Sequence, residues 1–206
     1  MKPDVLVIHC GTLYLDHVTT YLKNWGVNFT VELPFNHIES NYDALMKRIK
    51  DNYDALIYAG GTIPGKISKD VRMWSAKLIR ELDIPFLGIC LGHIMLGFAY
   101  GPYGPSTGFW RYPNDRKGIT EVSFNKEFPL APGRDSLTVY QHHERTLTHI
   151  PKCLESYGSS LFSKIEAIKH KEEQKYSVQF HAEVTKDENG DPIDGHIVID
   201  NFLRRV

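Results

Sequence analysis

The chain has 206 residues, 42% of them hydrophobic, and its 24 Lys and Arg face 25 Asp and Glu for a formal net charge of -1. That length and apolar fraction suit one globular domain, residues 1–206, with a sizeable core. The charge balance offers no surface for nucleic acid or an anionic membrane, and no stretch approaches the roughly 18 apolar residues that span a bilayer.

Val5 to His9 is a short β-branched apolar run that ends in Cys10-Gly11, the mark of a buried strand. Leu15, Val18, Tyr21, Leu22 and Trp25 then recur at helical spacing, with a stop at Asn24 and Gly26. Val27 to Leu33 alternates as a strand does, and Tyr42 to Lys50 carries Leu45 and Ile49 on one helical face. Ala55 to Ala59 is a second buried strand, running into Gly60-Gly61-Thr62-Ile63-Pro64-Gly65. Val71 to Leu82 reads as a helix, Phe86 to Ile89 as a strand, and Ile94 to Tyr100 as a further helix. Buried strands alternating with helices predict an α/β fold with a parallel sheet covered on both faces. In such sheets ligands bind beyond the carboxyl ends of the strands. The loops at Cys10, Gly60 and Cys90 should therefore share one edge.

The second half differs. Gly101 to Asn114 is rich in Gly, Pro and aromatic residues and reads as a long loop holding Tyr103, Phe109 and Trp110. Strand-like segments follow at Gly118 to Phe124, Ser136 to Gln141, Lys164 to Lys169 and Tyr176 to Phe180, and turn signals between them predict a small antiparallel portion. The charged tract Lys169 to Lys175 reads as a solvated hairpin turn. Ile197 to Leu203 closes the chain as a helix.

The most pointed signal is Gly88-Ile89-Cys90-Leu91-Gly92, a Gly-x-Cys-x-Gly turn between a buried strand and a helix. It has the form of a nucleophile elbow carrying a thiol. A helix N-terminus favours a thiolate. A free cysteine is also often just a small buried hydrophobe, so the elbow needs partners to be read as catalytic. Tyr176 to Glu183 offers them: a strand ends at His181, and Glu183 stands two residues on, where an extended chain projects both to one side. Glu183 would orient one ring nitrogen of His181 while the other faces the thiol. Gly60-Gly61 leaves backbone N–H groups unobstructed, so that one of them, with the Leu91 N–H, could form an oxyanion hole. Phosphate cradling is the rival for these glycines. Gly60 and Gly65-Lys66 have the spacing, but Ile67 stands where a magnesium-binding hydroxyl is required.

In this order, Gly-Gly, Gly-x-Cys-x-Gly-His and Gln-Phe-His-x-Glu, the chain resembles the class I glutamine amidotransferases nearly end to end. Its C-terminal third, in Ile165 to Lys171 and Val178 to Thr185, is similar to the branch that serves GMP synthase. The resemblance implies a flavodoxin-like sheet and hydrolysis of L-glutamine to glutamate and ammonia through a thioester. It implies Cys90, His181 and Glu183 as the triad, and the Gly61 and Leu91 N–H groups as oxyanion donors. Gly60, Ile94, His143, Glu144 and Arg145 fall at substrate-binding positions. No cofactor or metal is implied. The chain holds no second catalytic domain, so the expected partner is a separate ATP-dependent synthase subunit that takes the ammonia.

Three departures stand out. Ile94 replaces the family's glutamine after the elbow histidine, Thr62 replaces the proline of Gly-Gly-Pro, and Ala182 replaces the proline of His-Pro-Glu. Ile94 keeps open a stand-alone hydrolase of a γ-glutamyl compound, and a non-catalytic regulatory protein on the same scaffold is a third reading. The remaining candidates have plainer explanations. His142, His143 and His149 lack metal-ligand spacing, and Asp187 to Asp194 lacks the ligand order of a calcium loop. Cys10, Cys90 and Cys153 are odd in number and far apart, no disulfide framework. With no signal-peptide pattern at Met1 to Val5, the expected setting is reducing and cytoplasmic. Cys10 and Cys153 are expected to be structural.

Overall fold

Apolar runs that are buried on both sides need helices above and below, and the chain supplies them in alternation. In chain order the elements are β1 (Asp4–Cys10), α1 (Leu15–Trp25), β2 (Asn28–Glu32), a 3₁₀ turn (Pro34–Asn36), α2 (Tyr42–Asn52), β3 (Ala55–Gly61), α3 (Ser68–Glu81), β4 (Phe86–Ile89) and α4 (Leu91–Tyr100). They continue as β5 (Phe109–Phe124), β6 (Ser136–Leu147), β7 (Leu154–Ser159), β8 (Ala167–His170), β9 (Lys175–Val178) and α5 (His196–Leu203). This is a computed structural model that describes residues 2–37, 41–63, 68–101 and 109–206. Tyr103, Pro64, Gly65, Lys66 and Ile67 lie outside the described residues, and among those described no helix is long and apolar enough to cross a membrane.

The strands form one sheet in the order β2-β1-β3-β4-β9-β8-β7-β5-β6. From β2 to β9 all pairs are parallel, the doubly wound arrangement expected from the sequence. From β9 to β6 all are antiparallel. Side chains alternate across each strand, so Val5 and Val7 of β1 join Val18 and Leu22 of α1 and Val198 and Phe202 of α5 in one core layer. Leu6 and Ile8 join Leu45 and Ile49 of α2, Leu78 of α3 and Leu96 of α4 on the other face. Each such fully buried aliphatic side chain contributes roughly 2 kcal/mol. Asn41 caps α2 by accepting the Ala44 N–H at 3.1 Å.

Several sequence-based boundaries are corrected. Phe109 to Asn114 is strand, because the segment pairs with β6 through Phe109–Leu147, Trp110–Thr146 and Arg111–Arg145. The register shifts between Arg111 and Arg116, the kind of irregularity that tolerates a proline such as Pro113 inside a ladder. β6 likewise continues past Gln141 to Leu147 and carries His143, Glu144 and Arg145 in strand. β7 has no apolar run to mark it and is not expected from the sequence, whereas the elbow helix starts at Leu91, directly after the turn, and runs through the apolar segment Ile94 to Tyr100. The hairpin after β8 is solvated only at its tip. Lys175 is 1% exposed, its ammonium donating to the Tyr100 hydroxyl at 2.9 Å and paired with Glu173.

Candidate active site

β4 ends at Ile89 and α4 begins at Leu91, so Cys90 alone makes the turn. It is the one non-glycine residue with positive φ among the described residues, at φ 53° and ψ −98°. Such a conformation costs on the order of 1–3 kcal/mol and persists only where the surroundings fix it. The Cys90 N–H donates to the Val178 carbonyl of β9 at 2.9 Å, and the Cys90 carbonyl accepts from His93 at 3.1 Å and Ile94 at 3.3 Å. The flanking glycines act through contact. A Cβ on Gly92 would fall on the Tyr58 carbonyl of β3, and one on Gly88 would fall on the Gly92 backbone. The helix can therefore seat directly on the sheet and lift the cysteine above it.

Beneath the turn, His93 is fully buried, its ring nitrogens meeting the Ser177 hydroxyl at 2.9 Å and the Ile165 carbonyl at 3.1 Å. Burial pushes its pKa down to about 3, so it is a neutral strut.

A cavity of about 340 Å³ opens at this sheet edge and is lined by Gly11, Gly61, Cys90 and His181, so the three strand-end loops do converge. Ile94, His143, Glu144, Arg145 and Leu91 line it too. Gly60 is not among the lining residues but packs against two of them, since a Cβ there would stand 3.1 Å from His181 Cε1 and 3.5 Å from the Cys90 Cβ. Gly61, at φ 129°, presses on the Cys10 carbonyl so closely that any side chain would collide with it. The Thr62 N–H donates to that carbonyl at 2.8 Å and pins the loop to β1.

His181 and Glu183 are both buried, with Nδ1 2.8 Å from the Glu183 carboxylate. The expected pair is present, but the local structure differs from the expected extended chain. β9 ends at Val178, and the Val184 N–H donates to the His181 carbonyl at 3.1 Å, so a turn brings the two side chains together. His181 Nε2 lies 3.3 Å from the His142 carbonyl, and the Cys90 thiol donates to the same oxygen at 3.8 Å. A ring that faces a carboxylate from Nδ1 and a carbonyl from Nε2 is arranged as an imidazolium. Burial alone would lower the His181 pKa; the Glu183 carboxylate, followed by Cys90, outweighs it and holds the pKa well above 6.5. His143 goes the other way, pushed down to about 4 by burial, and is neutral.

The other two thiols have different surroundings. Burial pushes Cys10 up to about 11 despite the Tyr58 hydroxyl at 3.5 Å, and burial also raises Cys153.

Sequence reasoning missed Tyr14, the His142 backbone and Gln179. The Tyr14 ring lies 4.3 Å from the His181 ring, and its hydroxyl meets Tyr140 at 3.2 Å and His142 Nδ1 at 2.6 Å. Its only sequence signal is its place in the loop after the first strand. Among the described residues no three His, Cys, Asp or Glu side chains converge as metal ligands would.

The family model described as glutamine amidotransferase class-I matches residues 6–201. The chain is 35% identical over 203 residues to the glutamine-hydrolysing GMP synthase subunit of Methanococcus maripaludis strain C5, covering 98% of this chain and 96% of that one. It is 27% identical over 202 residues to the subunit of the same name from strain C7, covering 98% and 96%. A crystal structure from Thermoplasma acidophilum, provisionally assigned as a GMP synthase subunit of the same kind, superposes with a TM-score of 0.79 at 21% identity, over 99% of this chain and 94% of that one. The chain belongs to the class I glutamine amidotransferase family.

Proposed function

We propose that the chain hydrolyses L-glutamine with Cys90 as nucleophile, His181 as general base and acid, and Glu183 as its orienter. The observation that carries the reading is one cavity holding a strained cysteine at a helix start beside a buried His181–Glu183 pair at 2.8 Å. With its proton held on His181, Cys90 Sγ attacks the carboxamide carbon of the substrate as a thiolate, and the tetrahedral oxyanion is met by the Leu91 N–H, at a helix end that lacks intrahelical partners, and by the Gly61 N–H. His181 passes its proton to the amide nitrogen, the C–N bond breaks, ammonia leaves and a thioester remains. Water, deprotonated by His181, then attacks the thioester. The adduct collapses with the Cys90 thiolate as leaving group, and glutamate departs with its acid proton lost to solvent, restoring the thiolate beside a protonated His181. Gly60 leaves room beside the imidazole, and Ile94, His143, Glu144 and Arg145 surround the substrate.

The relatives' names support a finer reading, in which ammonia passes to a separate ATP-dependent, GMP synthase-like subunit. The test is ammonia release from L-glutamine by the chain alone and with such a partner. Cys90→Ala should lower it on the order of 10⁴-fold or more with the fold intact; retained hydrolysis would sink the triad. The second reading rests on Ile94, an apolar side chain in the cavity where the family carries glutamine. Faster partner-free turnover of a γ-glutamyl conjugate than of glutamine would favour it.

A further inference from the structure

The catalytic turn leaves unused a set of polar side chains packed behind it. Gln179 follows Val178, whose carbonyl holds the Cys90 N–H, and lines the same cavity as Cys90 and His181. Its side chain is fully buried, and neither Oε1 nor Nε2 has a hydrogen-bond partner among the described residues. The Gln179 N–H donates to the Glu166 carbonyl at 2.8 Å, one step beyond the Ala167–Val178 pair of β8 and β9. Residues opposed in this way across an antiparallel pair project to one face, with Cβ atoms about 5 Å apart. Glu166 is itself fully buried. Its Oε1 accepts from Gln141 Nε2 at 2.8 Å and from Ser160 Oγ at 2.5 Å, while its Oε2 and the Gln141 Oε1 are unpartnered among the described residues.

Each buried polar atom without a partner costs about 1–3 kcal/mol. Here there are four of them on three neighbouring residues, and one of the three, Gln179, lines the cavity of the nucleophile. Three are oxygens and the fourth is an amide nitrogen that donates. A matching ligand is small and carries three donors and one acceptor. Ammonia, with three N–H bonds and one lone pair, is the inverse of this set, and a carboxamide cleaved at Cys90 Sγ releases it alongside. We propose that Gln179, Glu166 and Gln141 form a holding site for ammonia in the interior behind Cys90. The proposal rests on the glutaminase reading for the source of its ligand. Burial lifts the Glu166 pKa to about 7, against the hydrogen bonds from Ser160 and Gln141 that lower it, so near neutral pH this carboxyl can face either ammonia or ammonium.

The test titrates ammonium chloride into the whole protein, with sodium chloride and potassium chloride at equal ionic strength as controls. Binding is read by calorimetry and by the shift in Tm. The expected result is a saturable response to ammonium that neither control reproduces. Glu166→Gln, which keeps the side chain's shape, and Gln179→Leu should each weaken it roughly tenfold or more, the loss of one charge-assisted hydrogen bond. If Gln179→Leu fails to fold, Glu166→Gln decides alone. No response to ammonium, an equal response to potassium, or undiminished affinity in the folded variants would overturn the site. Cys90→Ala should bind ammonium as the parent does while releasing none from glutamine. Ammonium binding by a chain that never hydrolyses glutamine would sink the enzymatic reading and leave the site, whereas hydrolysis without ammonium binding would sink the site alone.

Discussion

In the parallel half, Val5, Leu6, Val7 and Ile8 of β1 are all buried, because helices cover both faces of the strand. In the antiparallel half, β6 mixes buried Leu137, Val139 and Gln141 with exposed or half-buried neighbours such as Thr138, His142 and Glu144. The same contrast runs through the site. Cys90 is held by the parallel half through contact, with Gly88 and Gly92 letting α4 sit on β3 and β4. His181 follows the last parallel strand but is held from the antiparallel half through hydrogen bonds. Its N–H donates to the Tyr140 carbonyl at 2.9 Å, and its ring lies against the His142 carbonyl. A nucleophile fixed by sterics thus meets a base fixed by polar partners, and the two should fail in different ways.

The sharpest probe of the polar side is Glu183→Gln, which keeps the shape and removes the charge. Ammonia release from glutamine should fall on the order of 10³-fold. The same variant has a pH signature. Because the folded pKa of His181 is raised, its pairing stabilises the fold fully below about 6.5 and is lost as pH rises through the raised value. Tm of the parent should therefore decline with pH above neutrality more steeply than that of Glu183→Gln, and parallel curves would refute the charge pairing.

On the steric side, Gly92→Ala drives a methyl into the Tyr58 carbonyl and should cost about 3 kcal/mol in urea unfolding. The smallest effect is expected at Gly133, between β5 and β6, where φ is +69° and nothing stands within 4 Å of an added Cβ. Gly133→Ala then meets only backbone strain, about 1 kcal/mol, with glutaminase activity unchanged. Equal costs at the two glycines would mean that contact is not what distinguishes the halves.

The same division governs what could be read from the sequence. Parallel strands announce themselves as continuous apolar runs, so β1, β3 and β4 and the turn at Cys90 were legible. β7, whose Leu154 to Ser159 has no such run, was not, and the glycines and prolines before Asn114 hid the first part of β5 behind a loop signature. His181 and Glu183 were found through their spacing, although the turn at His181 to Val184 is what joins them. Tyr14 and the His142 carbonyl come from elements more than a hundred residues apart that touch only once the sheet is built. Their side chains carried no local pattern. Gln179 stands in the Gln-Phe-His-x-Glu motif but had no role of its own there, and its burial without partners among the described residues is what singles it out.

The oxygen that meets both the Cys90 thiol and the His181 ring belongs to the main chain of residue 142. No change of amino acid at that position can delete it. What can move it is slippage of β6 along β5, and that pairing is spread over eleven matched residues with a single irregularity. Inheritance of this contact is therefore written in the whole hairpin rather than in one codon. A change in the side chain of His142 gives up its hydrogen bond to Tyr14 but leaves this carbonyl in the chain.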